Sequence, residues 1–473
     1  MKTTTQNYDV KMNEQCRPEG HIKITLVSGS TTYYFLDSQI QSATRLSDID
    51  PLSRRVPKET FTFSIFDYSG EYNPSNPSGK WSSMDENAEI SVQFGLETTS
   101  GNTEWLATDT YTLDAKPTVS GGIATFKASS KLCHLTKTYY KGTYGSTDLR
   151  TLAIAVLTDA GISSYSIDST LSSMYTVAPL PVTTHLNCLQ LIAHAARCTL
   201  RSVNGLITIA PFNFSVTPSE YIIGLDSIAL NGDAISKIET LYKVDANLYS
   251  YSVDSTDSEL YSLTVSDTDT ISYHVEYDLS SDQTVSISGD GTLSNIHTYA
   301  RCADFTVTGT GSYTVTIVGK KITTTTSTFE SIIGTDANGS TDSEKNELIT
   351  NSDMLSSLVY QVSNYLQYRL THTVRYRGNP EIEPLDAFYF ATTFGTYITA
   401  LCLTHTISYN GAFSGSLTLK SISELSSVYL LDNTSTIVVD SDGENVGIIG
   451  TSNYTSSYSE SDMDDFIEEV NGS

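Results

Sequence analysis

The chain has 473 residues, which predicts about two to four domains rather than a single core. Only 17% of the residues are charged against 39% hydrophobic, the polarity is made up by Ser and Thr, and there are 30 Tyr, a balance that favours pleated sheet. The net charge of -27 is concentrated in two runs free of Lys and Arg, ten acidic residues in 244–300 and eleven in 421–473, and surfaces of this sign repel phosphate and speak against sequence-specific nucleic-acid binding.

Residues 1–15 hold no apolar stretch followed by a small-residue cleavage site, so no secretory signal is expected. No later segment approaches the roughly 18 apolar residues of a membrane span, and the expectation is a chain made soluble in the cytoplasm. Cys16, Cys133, Cys188, Cys198, Cys302 and Cys402 lack close pairing and read as reduced, mostly buried thiols.

The first part alternates with period two: Ile22, Ile24 and Leu26, then Phe61, Phe63 and Ile65, then Ile90, Val92 and Phe94. Between the second and third runs, Glu71-Tyr-Asn-Pro-Ser-Asn-Pro-Ser-Gly-Lys-Trp81 is a defined loop. Pro74 and Pro77 restrict it and Gly79 permits a conformation other residues disfavour, so it is expected to present Tyr72 and Trp81 for structure or assembly, unless Trp81 closes the domain's own core. From about residue 146 the period becomes helical: Leu149, Leu152, Ala153, Val156 and Leu157 form a stripe, with Ser146 or Thr147 as N-cap and Gly161 as stop. A second helix is predicted over about 184–200 on Leu186, Leu189, Ile192, Ala196 and Leu200, followed after Asn204-Gly205 by a strand ending at Pro211.

Residues 215–325 are Ser/Thr-rich and strand-like, with turns predicted at Gly289-Asp-Gly291 and Gly309-Thr-Gly311, and look like an inserted or separate β domain. The longest helical pattern spans about 343–370, where Leu355, Leu358, Val359, Val362 and Leu366 line one wide stripe. That stripe needs a partner surface, within the protomer or at a threefold seam, and its width favours the first. Strands follow to Ile422 with a hairpin at Asn410-Gly411, then one more hairpin signal at Asp442-Gly443 and an acidic, Ser-rich end. The fold class is therefore mainly β with α+β elements, divided as an N-terminal β domain (1–120), an α+β domain (121–214), a Ser/Thr-rich β domain (215–342), a helix with a second β unit (343–425) and an acidic hairpin and tail (426–473).

No constellation of residues carries chemistry. His185, Cys188, His194 and Cys198 imitate a metal tetrad, but on one helix the two imidazoles project about 180° apart and do not converge on one ion. Gly309-Thr-Gly311 with Gly319-Lys-Lys321 lacks phosphate-loop spacing and reads as a β-hairpin, and Asp440-Ser-Asp-Gly-Glu444 lacks the later ligands of a calcium loop. No catalytic, metal or cofactor residues are assigned.

Three segments resemble phage tail hub proteins, the family of siphophage tail-associated proteins and the central hub subunits of contractile tails. The first is Ile49-Asp-Pro-Leu-Ser-Arg54 with Pro57, followed by Phe63-Ser-Ile-Phe-Asp67 and the 71–81 loop. The second begins at Ala178-Pro-Leu-Pro-Val-Thr-Thr-His-Leu-Asn-Cys-Leu-Gln-Leu-Ile-Ala-His-Ala-Ala-Arg197 and continues with Asn204-Gly-Leu-Ile-Thr-Ile209. The third is the helix at 346–369 with Arg377-Gly-Asn-Pro380 and Glu383-Pro-Leu-Asp386, where Asn379 and Leu385 replace the Asp and Gly of similar proteins. The resemblance covers roughly 45–420, motif by motif. It implies β-barrel-like hub domains with intervening helices in a homotrimeric ring at the virion's tail tip or baseplate. It also implies partners: a distal tail or tail-tube protein above, and a spike, fibre or receptor-binding protein below. With so few residues after the barrel region, the C-terminal peptidase or lysozyme domain of some relatives is not expected here.

The structural or interface candidates are Tyr72, Asn73, Pro74, Gly79, Lys80, Trp81, Leu358, Val362, Arg377, Gly378, Asn379, Pro380 and Asp386. In such a ring at least one acidic run, with Asp254 and Asp257 or Asp464 and Asp465, is expected to line the opening through which DNA passes, keeping the duplex from sticking over a screening range of about 8 Å. The competing readings are a carbohydrate- or receptor-binding adhesin, on the Tyr-, Ser- and Thr-rich strand surface, and a cell-envelope hydrolase, for which the catalytic signature is missing.

Overall fold

The computed structural model describes residues 1–421 apart from 15–18, 100, 215–218, 225–226, 238–240, 335–336 and 392–395, together with 428–429, 436–439 and 446–449. The chain opens with helix α1 (Gln6–Asn13) and the strands β1 (Gly20–Ser28), β2 (Thr31–Leu36), β3 (Ile40–Asp48), β4 (Lys58–Phe66), β5 (Glu89–Thr99), β6 (Asn102–Leu113), β7 (Thr118–Ser120) and β8 (Ile123–Ser130). Hydrogen bonding follows the order β3-β4-β8-β6-β5-β1-β2, and the sheet curls around one core because the alternating residues of every long strand face inward. Phe63 stacks on Phe126 at 4.5 Å, and Ile22, Ile24, Ile90 and Val92 are buried beside them. The boundary expected at residue 120 falls inside the β7–β8 hairpin, whose turn is Gly121-Gly122, and β8 pairs with β4 in the register Phe63↔Phe126.

The C-terminal strands join the same sheet. Thr396–Tyr409 pairs antiparallel with β3, so that Ser408 Oγ lies 3.1 Å from Thr44 Oγ1 and Thr404 Oγ1 donates to Asp48 at 2.7 Å. Phe413–Ser421 and Leu370–Tyr376 follow in order, making one 15-stranded sheet from segments more than 300 residues apart. The Asn410-Gly411 hairpin forms as predicted, with Gly411 at φ 88°, and Asn204-Gly205 takes positive φ at both residues, as a tight hairpin turn requires.

Between these ends sit helices α2 (Leu149–Asp159), α3 (His185–Ala195) and α4 (Ser352–Leu366), which share one core with the hairpin Cys198–Val203 and Leu206–Pro211. Asp148, not Ser146 or Thr147, caps α2, accepting from Thr151 N at 2.9 Å. The helix expected to reach residue 200 stops at Ala195: Arg197 turns the chain at φ 57°, and Cys198, Thr199 and Leu200 are drawn into a hairpin with residues 209–211. Likewise α4 begins at Ser352, capped by Asn351, because Ser340–Glu344 instead forms a strand parallel to Leu241–Val253, and Leu370 already starts the next strand. Leu358 and Val362 are fully buried within the chain.

The Ser/Thr-rich segment is an insertion on a stem. Leu241–Val253 leaves the helical core and pairs with residues 322–332 of the returning strand Cys302–Ile332. Beyond the stem, Ser258–Asp267, Thr270–Glu276 and Ser280–Thr298 flank the same 31-residue strand. The turns predicted at Gly289-Asp-Gly291 and Gly309-Thr-Gly311, and the hairpin read from Gly309-Thr-Gly311 together with Gly319-Lys-Lys321, do not form: all three motifs lie inside strands. The first two serve close backbone approach, since a Cβ on Gly309 would stand 2.2 Å from Asp267 O and one on Gly289 2.4 Å from Ser312 O. Thr436–Val439 and Val446–Ile449 pair around residues 440–445, as the Asp442-Gly443 signal predicts, although that turn and Asp440 through Glu444 lie outside the described residues. No helix among the described residues is long and apolar enough to cross a membrane.

Candidate functional site

Parts of the first two sequence motifs, residues 50–54 and 185–200, meet residues 342–346 at one junction. Asp50 folds the first of them by accepting from Leu52 N at 2.9 Å and Arg54 N at 3.3 Å, and Leu52 enters the helical core. Ser53, at φ 51°, donates through Oγ to Cys198 O and accepts from Leu200 N, both at 2.8 Å. Thr199 Oγ1 donates to Pro51 O at 2.6 Å, and the Gln190 amide donates to Ser53 O. The loop thereby grips α3 and the strand after it. On its other side Arg54 Nη2 lies 2.6 Å from Asp342, and its Nε 2.7 Å from Glu344. Glu344 in turn lies 3.0 Å from His194 Nε2, with both side chains 4% exposed, while Asn346 Nδ2 donates to Leu191 O at 2.8 Å and approaches His194 Nδ1 at 3.1 Å. Burial works against the Arg54 charge, but Glu344 and Asp342 outweigh it and hold the guanidinium protonated. A cavity of 590 Å³ opens beside this network, lined by the paired Arg54, Glu344 and His194 together with Asp50, Arg55 and Lys345. The arrangement clamps; it presents no poised nucleophile.

A second buried network ties the 377–386 loop to the first sheet. Arg45 donates through Nε to Tyr111 Oη at 3.1 Å and lies 3.9 Å from Glu383, which also receives Lys2 at 3.5 Å. Glu59 accepts from Ser202 N at 3.3 Å, and burial, reinforced by Asp109, pushes its carboxyl up to about 7. Within the loop, Arg377 N donates to Ser227 O, and Gly378 sits at φ 77°, where a Cβ would meet Ser414 backbone at 2.8 Å. Asn379, fully buried, accepts from Glu381 N at 3.0 Å and so makes the turn around Pro380. Leu385 adopts φ 74°, in the left-handed region that favours glycine, and Asp386 accepts from Glu383 N at 2.7 Å. Sequence reasoning gave no role to Arg45, Glu59 or Arg54; the signal of Arg45 and Glu59 was charge inside runs that otherwise read as apolar alternation, whereas Arg54 stood in a polar loop.

The 71–81 loop differs from its expected form. Tyr72 is not presented: it is 4% exposed and meets Phe126 edge-on at 5.3 Å. Trp81 is half-buried, donating to Pro117 O at 3.2 Å beneath the Lys116 ammonium. Asn73 accepts from Ser75 N at 2.9 Å, Pro74 is exposed, and Lys80 pairs with Glu71. Gly79 does not use a positive φ; it is required by close approach, a Cβ there standing 2.5 Å from Glu71 O. Gly79→Ala is thus expected to lower stability by about 1–3 kcal/mol through a forced backbone shift, and an unchanged melting temperature would refute this account of the loop.

His185, Cys188, His194 and Cys198 are separately engaged. His185 Nε2 lies 2.9 Å from Asp159, His194 faces Glu344, and Cys198 lies past the end of the helix. Among the described residues, no group of three or more His, Cys, Asp or Glu is placed to hold a metal ion. Asp254 and Asp257 are exposed where the stem meets the inserted unit, and Asp464 and Asp465 lie outside the described residues.

Solved structures with a similar fold include the tail protein from Neisseria meningitidis MC58 (9% identity, TM-score 0.46, covering 85% of this chain and 96% of that one). They also include the 43 kDa tail protein of prophage MuSo2 from Shewanella oneidensis (10%, 0.46, 84% and 98%). A third is prophage tail protein gp18 from Listeria monocytogenes EGD-e (7%, 0.45, 85% and 95%). These three are tail proteins, two of them from prophages, and other structural neighbours are Francisella PdpA-VgrG complexes. No protein-family model matches the chain, and no curated protein matches it in sequence.

Proposed function

We propose that this chain is a structural, non-enzymatic hub of a phage tail tip or baseplate. Three copies would form a ring at the tip of the virion, assembled in the host cytoplasm, joining the distal tail or tail tube to a spike, fibre or receptor-binding protein. The observation that carries the reading is the junction: residues 50–54 and α3, from the first two hub-like motifs, are locked to residues 342–346 by buried polar contacts, and the N- and C-terminal strands fuse into one sheet. Polar side chains buried at this density between distant segments fix one relative orientation, which a subunit of a symmetric ring needs more than a catalyst does. The helix stripe around Leu358 and Val362 is used up inside the chain, so a ring must form through other surfaces.

Sedimentation of the purified full chain at micromolar concentration is expected to show a trimer, with a central opening in particle images. An obligate monomer absent from purified tails would reject the hub. In the assembled ring at least one of the two acidic runs is expected at the lumen, and an image placing Asp254, Asp257, Asp464 and Asp465 all on the outer wall beside a neutral or basic channel would reject that assignment.

A further inference from the structure

The inserted β unit is the expected place for a sugar site, yet its aromatic residues are turned inward: Phe305 and Tyr313 are 1% exposed, with Tyr273 against them. Its open face is a lattice of hydroxyls, such as Thr264 with Thr314 at 2.9 Å and Thr270 with Thr308 at 3.1 Å. Among its described residues the exposed Phe or Tyr ring is Phe329, which lies on the stem and not beside these hydroxyls. The first sheet does offer rings to stack on. A groove of 500 Å³, within the ordinary range for small-molecule sites, runs between edge strand β2 and the loop after β4, lined by Tyr33, Tyr34, Phe66, Gln39, Glu71 and Lys80.

Two of these rings are open to solvent, Tyr34 at 63% and Phe66 at 42%, and Phe66 is held by stacking on Tyr68 at 5.6 Å and 12°. The opposite wall is fixed by the Asp67 carboxylate, which accepts from Glu71 N at 2.7 Å and Tyr72 N at 3.0 Å, and by Lys80 N, which donates to Glu71 O at 2.6 Å. The Lys80 ammonium, paired with Glu71, lies 6.0 Å over Tyr33 and 5.6 Å over Tyr72. Exposed aromatic faces beside a neutral carboxylate–ammonium pair and an amide supply what a pyranose needs, an apolar C–H face to cover and hydroxyls to bind bidentately.

We propose that this groove binds a neutral hexopyranose glycan. An anionic ligand is disfavoured by Asp67, by Glu71 and by a chain of net charge -27. An added peptide strand is disfavoured because the end of β2 is already closed: Leu36 N donates to Gln39 Oε1 at 3.3 Å and Gln39 N to Leu36 O at 2.9 Å. The inference does not depend on the hub reading.

The test is saturation-transfer NMR of the full chain with cellotriose, maltotriose and tri-N-acetylchitotriose at millimolar concentration, with a heparin-derived tetrasaccharide and a Thr/Val-alternating hexapeptide as alternatives. At least one neutral trisaccharide is expected to receive saturation at its ring C–H protons. Tyr34→Ala and Phe66→Ala, both exposed and checked for unchanged melting temperature, are expected to weaken it about tenfold or more, while Tyr175→Ala, exposed on another element, leaves it unchanged. No transfer to any neutral sugar, equal transfer with both groove variants, or preference for the anionic sugar or the peptide would each overturn the proposal. Should either variant melt early, Lys80→Met, at a half-exposed side chain, supplies the same comparison.

Discussion

Arg54→Ala is expected to destabilise the folded chain by about 3 kcal/mol, because it removes the partner of a carboxylate that cannot reach water. Glu344 is 4% exposed, and the ion-pair partner left to it without Arg54 is His194 at 3.0 Å. Arg54 also fastens Asp342, so one substitution loosens the loop at 50–54 from the strand Ser340–Glu344. The neighbouring Arg55→Ala is the contrast: that side chain is 46% exposed, pairs with Asp48 at the surface, and is expected to cost less than about 1 kcal/mol. Urea midpoints of the two variants check the difference. Equal small shifts would show that the junction is not clamped through Arg54. If it is, the loss should reach assembly as well, since the two β units would no longer hold one orientation.

The second large effect concerns pH. Glu59 and Glu381 are both raised to about 7, Glu59 by burial and then Asp109, Glu381 by burial with a contribution from Asp9. A raised carboxyl favours the folded state while protonated, so their contribution is present below about 4.5 and is lost as pH rises through about 7. His405 acts in the opposite sense. Burial, with Arg45 nearby, lowers it to about 3, so the stability linked to its neutral form is present above its ordinary value of 6.5 and is lost as pH falls toward 3. Its neutral ring is fixed between the Tyr376 hydroxyl at 2.9 Å and Ile382 O at 2.8 Å. Stability should therefore peak in mildly acidic solution. Glu59→Gln is expected to remove much of the alkaline loss, gaining about 3 kcal/mol on the parent chain at pH 8 relative to pH 4.5. Denaturation of both proteins across this range checks it; parallel curves would mean that Glu59 is not the group responsible.

The two networks were invisible in the sequence for a shared reason. Arg45 and Glu59 occupy strand positions where alternation predicts only a side facing a core, and what the core contains at that level depends on β6, on the 377–386 loop and on Lys2. Asp50 and Arg54 read as a polar loop until α3 and the strand Ser340–Glu344 are brought against them.

What the sequence determined by itself was whatever depends on neighbours a few residues away. Period-two alternation set the faces of β1, β4 and β5, and a helical stripe with local caps set α2, α3 and the body of α4. Asn204-Gly205 and Asn410-Gly411 set two hairpins, because positive φ is a property of the residue itself. The tertiary structure alone decided the rest. Gly289 and Gly309 carry the same glycine signal as a turn, and only strands packed against them show that their missing side chains make room for another backbone. The end of α3 and the start of α4 were settled by competing strand partners, and the fusion of β3 to Thr396–Tyr409 joins residues more than 350 positions apart. Hydrogen-bond partners at that separation leave no mark in local periodicity, since each strand satisfies its own alternation whichever neighbour it meets.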